Sequence, residues 1–196
     1  MRRTLAVLAV TLAALAARSS PGAAQDAPIV LEVAGGAAMP VGSFADGTAP
    51  GEGTEAGASL SVNFVLPRSG RPSIYLGFSQ HRFGCSAAGC ADGGEYVATG
   101  FNVGMRFALL RGHRAVPWVR VGGITTRVET PDLPAPDAGV SDLGFGGEAG
   151  LGVYVGWERI AVQPMLTFSA VGSKLPGGET LGLRFLTGQL AVAFPF

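Results

Sequence analysis

The last sixteen residues, Leu181 to Phe196, constrain the chain more than any other stretch. Counting back from the end, Phe196, Phe194, Val192, Leu190, Gly188 and Leu186 share one parity, and Pro195, Ala193, Ala191, Gln189 and Thr187 share the other. A period of two describes a β-strand with one apolar face. The strand ends on an aromatic residue with no polar tail, so both its edges need neighbours and its apolar face needs an apolar medium. A closed barrel in a bilayer meets both requirements.

A soluble barrel with apolar residues pointing inward has the same period, and composition separates the two. A water-facing exterior calls for Lys and Glu, yet the polar parity here is mostly Gly, Ala, Ser, Thr and Asn, which suits a narrow lumen. Charged residues make up 14% of the chain, against about 25% in ordinary soluble domains, and 31 of the 196 residues are Gly.

The terminal Phe196, preceded by Phe194, Val192 and Leu190 at every second position, resembles the C-terminal assembly signal of bacterial outer-membrane β-barrels. With the length and strand count, the chain is similar to the small eight-stranded members, of the OmpA-transmembrane-domain and OmpX type. The resemblance implies an all-β, up-and-down, antiparallel transmembrane barrel in the bacterial outer membrane. It also implies outer-membrane lipid and lipopolysaccharide as surroundings, with the barrel-assembly machinery and periplasmic chaperones as partners during biogenesis. It names a class of protein and no individual activity.

At the other end, Met1-Arg2-Arg3 is a basic start and Thr4 to Ala17 a 14-residue apolar run. That run is too short for a membrane helix and right for the core of a signal peptide. Gly22, Ala23 and Ala24 offer a cleavage site, so residues 1–24 read as a signal peptide and 25–196 as one barrel domain. Losing Arg2, Arg3 and Arg18 leaves 14 acidic residues against three fewer than 14 basic ones. A mildly acidic chain gives no hint of nucleic-acid binding.

Gly, Pro and acidic clusters divide the rest into segments of the length a tilted barrel strand needs. Eight are expected: 29–39, 56–66, 73–83, 95–109, 117–128, 143–155, 160–171 and 181–196. In the fourth, Val97, Thr99, Phe101, Val103, Met105 and Phe107 alternate with Tyr96, Ala98, Gly100, Asn102, Gly104 and Arg106. In the seventh, Pro164 removes a ladder donor, so a bulge is expected there. Short connections carry Arg68, Arg71, Arg111, Arg114 and Arg159. Long ones carry Asp46, Glu52, Glu55, Asp92, Glu129, Asp132, Asp137, Asp142 and Glu179. This alternation assigns the long acidic loops to the cell exterior. Phe64, Trp157, Phe194 and Phe196 fall toward the short-turn rim, and Phe78, Phe101, Phe145 and Phe168 toward the long-loop rim, as two aromatic girdles.

Cys85 and Cys90 are the only cysteines, and in an exported protein a disulfide is the economical reading. Closing so small a ring stabilises by ~2 kcal/mol in the loop-entropy model. A metal would need more ligands than His81 nearby, so neither a metal nor another cofactor is expected. Some outer-membrane barrels modify lipid A with a Ser, a His and an acid, and Ser79 and His81 share an inner parity. No orienting acid or oxyanion hole is designated, so a lipid A deacylase or acyltransferase is the alternative to a non-catalytic barrel with a structural or surface-interaction role. His113, among arginines in a short turn, reads as solvated. Eight strands enclose an interior nearly filled by side chains, yet the inward glycines leave room for a narrow pore.

The inner parity also holds Glu32, Arg106, Arg120 and Glu148. Turning at His113 sets Arg106 opposite Arg120, with Glu148 about three residues from register with Arg120. Two guanidinium groups side by side repel unless carboxylates stand between them. A lumenal ion cluster that plugs the barrel and fixes register is therefore expected. Trp118 shares the parity of Arg120, so either it also points inward or a bulge intervenes.

Overall fold

The computed structural model describes residues 29–46, 53–68, 72–85, 94–110, 115–130, 139–156 and 160–196. The signal-peptide reading, Cys90 and Trp157 lie outside them. Eight long strands run β1 (Val30–Pro40), β2 (Gly57–Leu66), β3 (Ser73–Cys85), β4 (Glu95–Ala108), β5 (Ala115–Thr130), β6 (Gly144–Gly156), β7 (Ala161–Lys174) and β8 (Thr180–Pro195). Each pairs antiparallel with the next, and β8 pairs back onto β1. The barrel is closed, and no edge of an eight-strand sheet is left open. A paired row leaving β1 at Val30 passes Val65, Tyr75, Gly104, Gly122, Glu148, Ser169 and Phe185 and returns at Pro40. That stagger requires tilted strands.

The alternation sorts the side chains as the period-two reading requires. Leu60, Phe64, Leu76, Phe78, Phe101, Val103, Met105, Val121, Phe145, Leu151, Leu166, Phe168 and Leu190 are all exposed on the outer wall. Phe101 and Phe145 are 61% and 68% exposed. Such a continuous apolar exterior is incompatible with water and matches the hydrocarbon band that surrounds a membrane barrel. Phe194 and Phe196 are half-buried, and the Phe196 N–H donates to the Ile29 carbonyl oxygen at 3.0 Å, tying the end of the chain to β1.

Strands β5 and β7 reach Thr130 and Lys174, so the ladder extends further toward the long loops than the sequence pattern suggested. The last loop shrinks to a turn closed by the Gly178 N–H on the Leu175 carbonyl oxygen at 2.9 Å. Gly178 sits at φ +90, a conformation that disfavours any side chain. The bulge expected at Pro164 does not form. Pro164 pairs with Leu190 in unbroken register, and pairing with β6 pauses beside it and resumes in the same register at Val162. Pro164 points outward, and the missing donor interrupts the ladder without shifting it.

Candidate functional site

The interior holds three tiers of side chains. At the short-turn end, Val30, Val65, Ala161 and Ala193 surround the ring of Tyr75. The middle tier is polar and contains the four buried charges Glu32, Arg106, Arg120 and Glu148. At the long-loop end the inner parity turns apolar: Leu181, Leu183 and Phe185 join Phe83, Tyr96, Val128 and Leu175. This corrects the expectation of a small, polar lumen, because the parity that carries Thr187 and Gln189 inward also carries Phe185, Leu183 and Leu181 inward.

A short helix, α1 (Ser43–Asp46), completes the outer tier by inserting Phe44. The Phe44 ring meets Phe83 edge-on at 5.1 Å, and Phe83 meets Phe185 at 5.3 Å. Thr54 Oγ1 donates to the Phe44 carbonyl oxygen at 2.5 Å. Gly42 allows the entry to this helix with φ +66.

The middle tier resolves into two pairs. Arg106 forks onto Glu32, with Nη1 to Oε1 at 2.5 Å and Nη2 to Oε2 at 2.7 Å. Gln163 Nε2 donates to the same Glu32 Oε1 at 2.7 Å. Arg120 Nη2 lies 3.5 Å from Glu148 Oε1 and donates to Thr167 Oγ1 at 3.2 Å. Glu148 Oε1 is held more firmly by the Tyr75 hydroxyl at 2.6 Å and by Asn102 Nδ2 at 3.2 Å. Arg106 and Arg120 are direct cross-strand partners, so each guanidinium has its own carboxylate. Glu148 pairs with Gly122, two residues from Arg120 rather than three. Trp118 does point inward, with no bulge, and the Arg106 guanidinium lies 4.2 Å over its ring centroid.

The inward glycines leave little room. Tyr75 lies across Gly104 and Gly122 to reach Glu148; a Cβ at those positions would come within 2.6 and 2.3 Å of its hydroxyl. Arg120 lies over Gly150, and Trp118 over Gly152. Asn63 and Asn102 fill the space beside Gly77. Long side chains laid over glycines on neighbouring strands fill this part of the interior, and no sequence window shows that pairing.

His81 and Ser79 are both buried, yet His81 Nδ1 shares its hydrogen bond with Ser59 Oγ at 2.9 Å. Ser59 also accepts from Gln189 Nε2 at 2.9 Å, and the imidazole packs at a tilt against Phe185, with ring centroids 4.8 Å apart. The neighbour of His81 thus comes from β2, because Ser59 is its cross-strand partner. Among the described residues no carboxylate bonds His81, and no group of His, Cys, Asp and Glu could hold a metal ion. Cys85 ends β3, with its sulfur 3.5 Å from the Tyr96 hydroxyl.

A closed eight-stranded antiparallel barrel with an apolar exterior and a filled polar middle defines the fold of the small outer-membrane β-barrels. Solved structures share that fold. The chain is similar to neisserial surface protein A, with a TM-score of 0.66 and 12% identity over 86% of this chain and 97% of that one. It is similar to OprG of Pseudomonas aeruginosa at TM-score 0.55 and 12% identity, covering 87% and 98% of the two chains. The N-terminal barrel domain of OprF from Pseudomonas aeruginosa follows at 0.51 and 14%, covering 87% and 98%. No protein-family model and no curated protein matches the sequence. At these identities the likeness is one of fold.

Proposed function

We propose that the chain is a non-catalytic outer-membrane barrel that serves as a structural wall protein and as a platform for surface interaction through its long acidic loops. The observation that carries this reading is the tiered interior. Aromatic rings close the long-loop end, two ion pairs occupy the middle, and no described charge inside lacks a partner of opposite sign. A barrel filled in this way suits a scaffold better than a conduit.

The lipid A-modifying alternative loses support from the same geometry. Its histidine lies beneath an aromatic cap with a serine and a glutamine for company, away from the outer wall where a lipid would sit. Mass-resolved lipid A from a host without such activity should be unchanged by expression of the protein. A new acyl pattern that vanished in Ser59→Ala or His81→Ala would replace this reading with an enzymatic one. Protease added to intact cells should cut between Pro131 and Asp142, and cleavage only after the outer membrane is opened would reverse the assigned sidedness.

A further inference from the structure

Among the described residues, Arg106 Nε, Arg120 Nε, Arg120 Nη1 and Trp118 Nε1 have no hydrogen-bond partner. The three side chains are 8%, 6% and 2% exposed. Each of these nitrogens carries an N–H that can only donate. They lie together, because Arg106 and Arg120 are direct cross-strand partners and Trp118 is the next inward residue of β5. The Arg106 guanidinium covers the Trp118 ring at 4.2 Å. The other unpartnered amides of the tier are a different case. Asn63 and Asn102 bring their Oδ1 atoms together beside Gly77, so turning one carboxamide over gives the pair a hydrogen bond. No such turn helps the two arginines or the tryptophan.

We propose that these N–H groups bind a small monovalent anion of the halide class inside the barrel. The carboxylates of the tier are committed elsewhere. Glu32 takes both Nη atoms of Arg106 and Gln163, and Glu148 Oε1 takes Tyr75 and Asn102. A buried donor without an acceptor is costly, and several in one place call for an acceptor that the chain does not supply. Water suits the position poorly. It can accept these bonds but must place two protons of its own, and the buried side chains packed with Trp118 are Ala34, Met165 and Ala191. An anion has no protons to place, and it reduces the repulsion between two guanidinium groups that stand opposite each other on β4 and β5. Tyr154 packs on the same cluster, and its hydroxyl, also without a partner among the described residues, can turn its proton to the same acceptor. Glu32 and Glu148 already balance the two arginine charges, so the site favours a single negative charge that sheds its water easily, iodide ahead of chloride.

The test uses the full mature chain with Trp157→Phe, which leaves Trp118 as the single tryptophan. It is folded from urea into phosphatidylcholine vesicles in mixtures of sodium iodide, chloride and gluconate at fixed ionic strength, so entry through a closed barrel is not required. Iodide quenches indole emission on contact. Its binding should quench Trp118 along a saturating curve that chloride reverses. Arg120→Gln should weaken iodide binding about tenfold, and Tyr154→Phe, which removes a hydroxyl and keeps the ring, about threefold. Arg82→Ala, on the outer wall, should bind iodide as the parent does. Quenching that rises without saturation, that chloride does not reverse, or that both site variants leave unchanged overturns the proposal. Absence of quenching in the folded parent also overturns it and assigns the donors to water. If Arg120→Gln fails to fold, the comparison of Tyr154→Phe with the parent decides the outcome.

Discussion

Replacing Glu32 by Ala removes the strongest polar contact in the interior. Glu32 is 1% exposed, accepts two hydrogen bonds from Arg106 and receives a third from Gln163. The variant leaves Arg106 charged, 8% exposed and held only by Gln163 Oε1 at 3.3 Å and the Trp118 face. Breaking a buried pair from one side costs about 3 to 5 kcal/mol, whereas replacing both partners by apolar residues of similar volume is close to neutral. Glu32→Ala should therefore lower the free energy of unfolding by that amount, and Glu32→Leu with Arg106→Met should restore most of it. The second pair gives an internal scale. Arg120→Ala breaks a longer contact, and Glu148 keeps its bonds from Tyr75 and Asn102, so its loss should be smaller, about 1 to 2 kcal/mol. Urea unfolding in phospholipid vesicles, followed by tryptophan fluorescence, measures all three variants. The reasoning is refuted if Glu32→Ala costs less than Arg120→Ala, or if the Leu/Met double variant is as unstable as the single one.

Three further outcomes follow from the same geometry. Gly122→Ala should cost about 1 to 3 kcal/mol, because its Cβ would meet the Tyr75 hydroxyl at 2.3 Å and the Val103 carbonyl at 2.5 Å; Gly35→Ala, which meets nothing within 4 Å, should stay within about 0.5 kcal/mol of the parent in the same assay. Deleting Phe196 removes both the terminal aromatic and its bond to Ile29, so the protein should accumulate in the periplasm and be degraded, and a normal heat-modifiable barrel in outer-membrane fractions would contradict this. Phe44→Ala opens the aromatic tier, yet the ion pairs beneath it remain, so planar-bilayer recordings should show no new steady conductance.

Much of this was legible in the chain because a period of two is local information. Alternation between Val97 and Phe107 and between Leu186 and Phe196 placed the apolar wall outside, and the eight expected strands match the observed ones to within three residues at each end. The same parity put Glu32, Arg106, Arg120 and Glu148 inside together. Which residues meet across that interior is set by strand register and stagger, and these are properties of the closed sheet. Register chose Ser59 over Ser79 as the partner of His81 and divided four charges into two pairs. It laid Tyr75 across Gly104 and Gly122, glycines on two other strands, so the room that composition suggested was occupied by a side chain from elsewhere. The aromatic tier was hidden for a related reason: Phe44 lies in the short helix α1, outside the strands and their alternation, and only the fold brings it against Phe83 and near Phe185. A sequence states which face each residue takes, while closure of the barrel decides what that face meets.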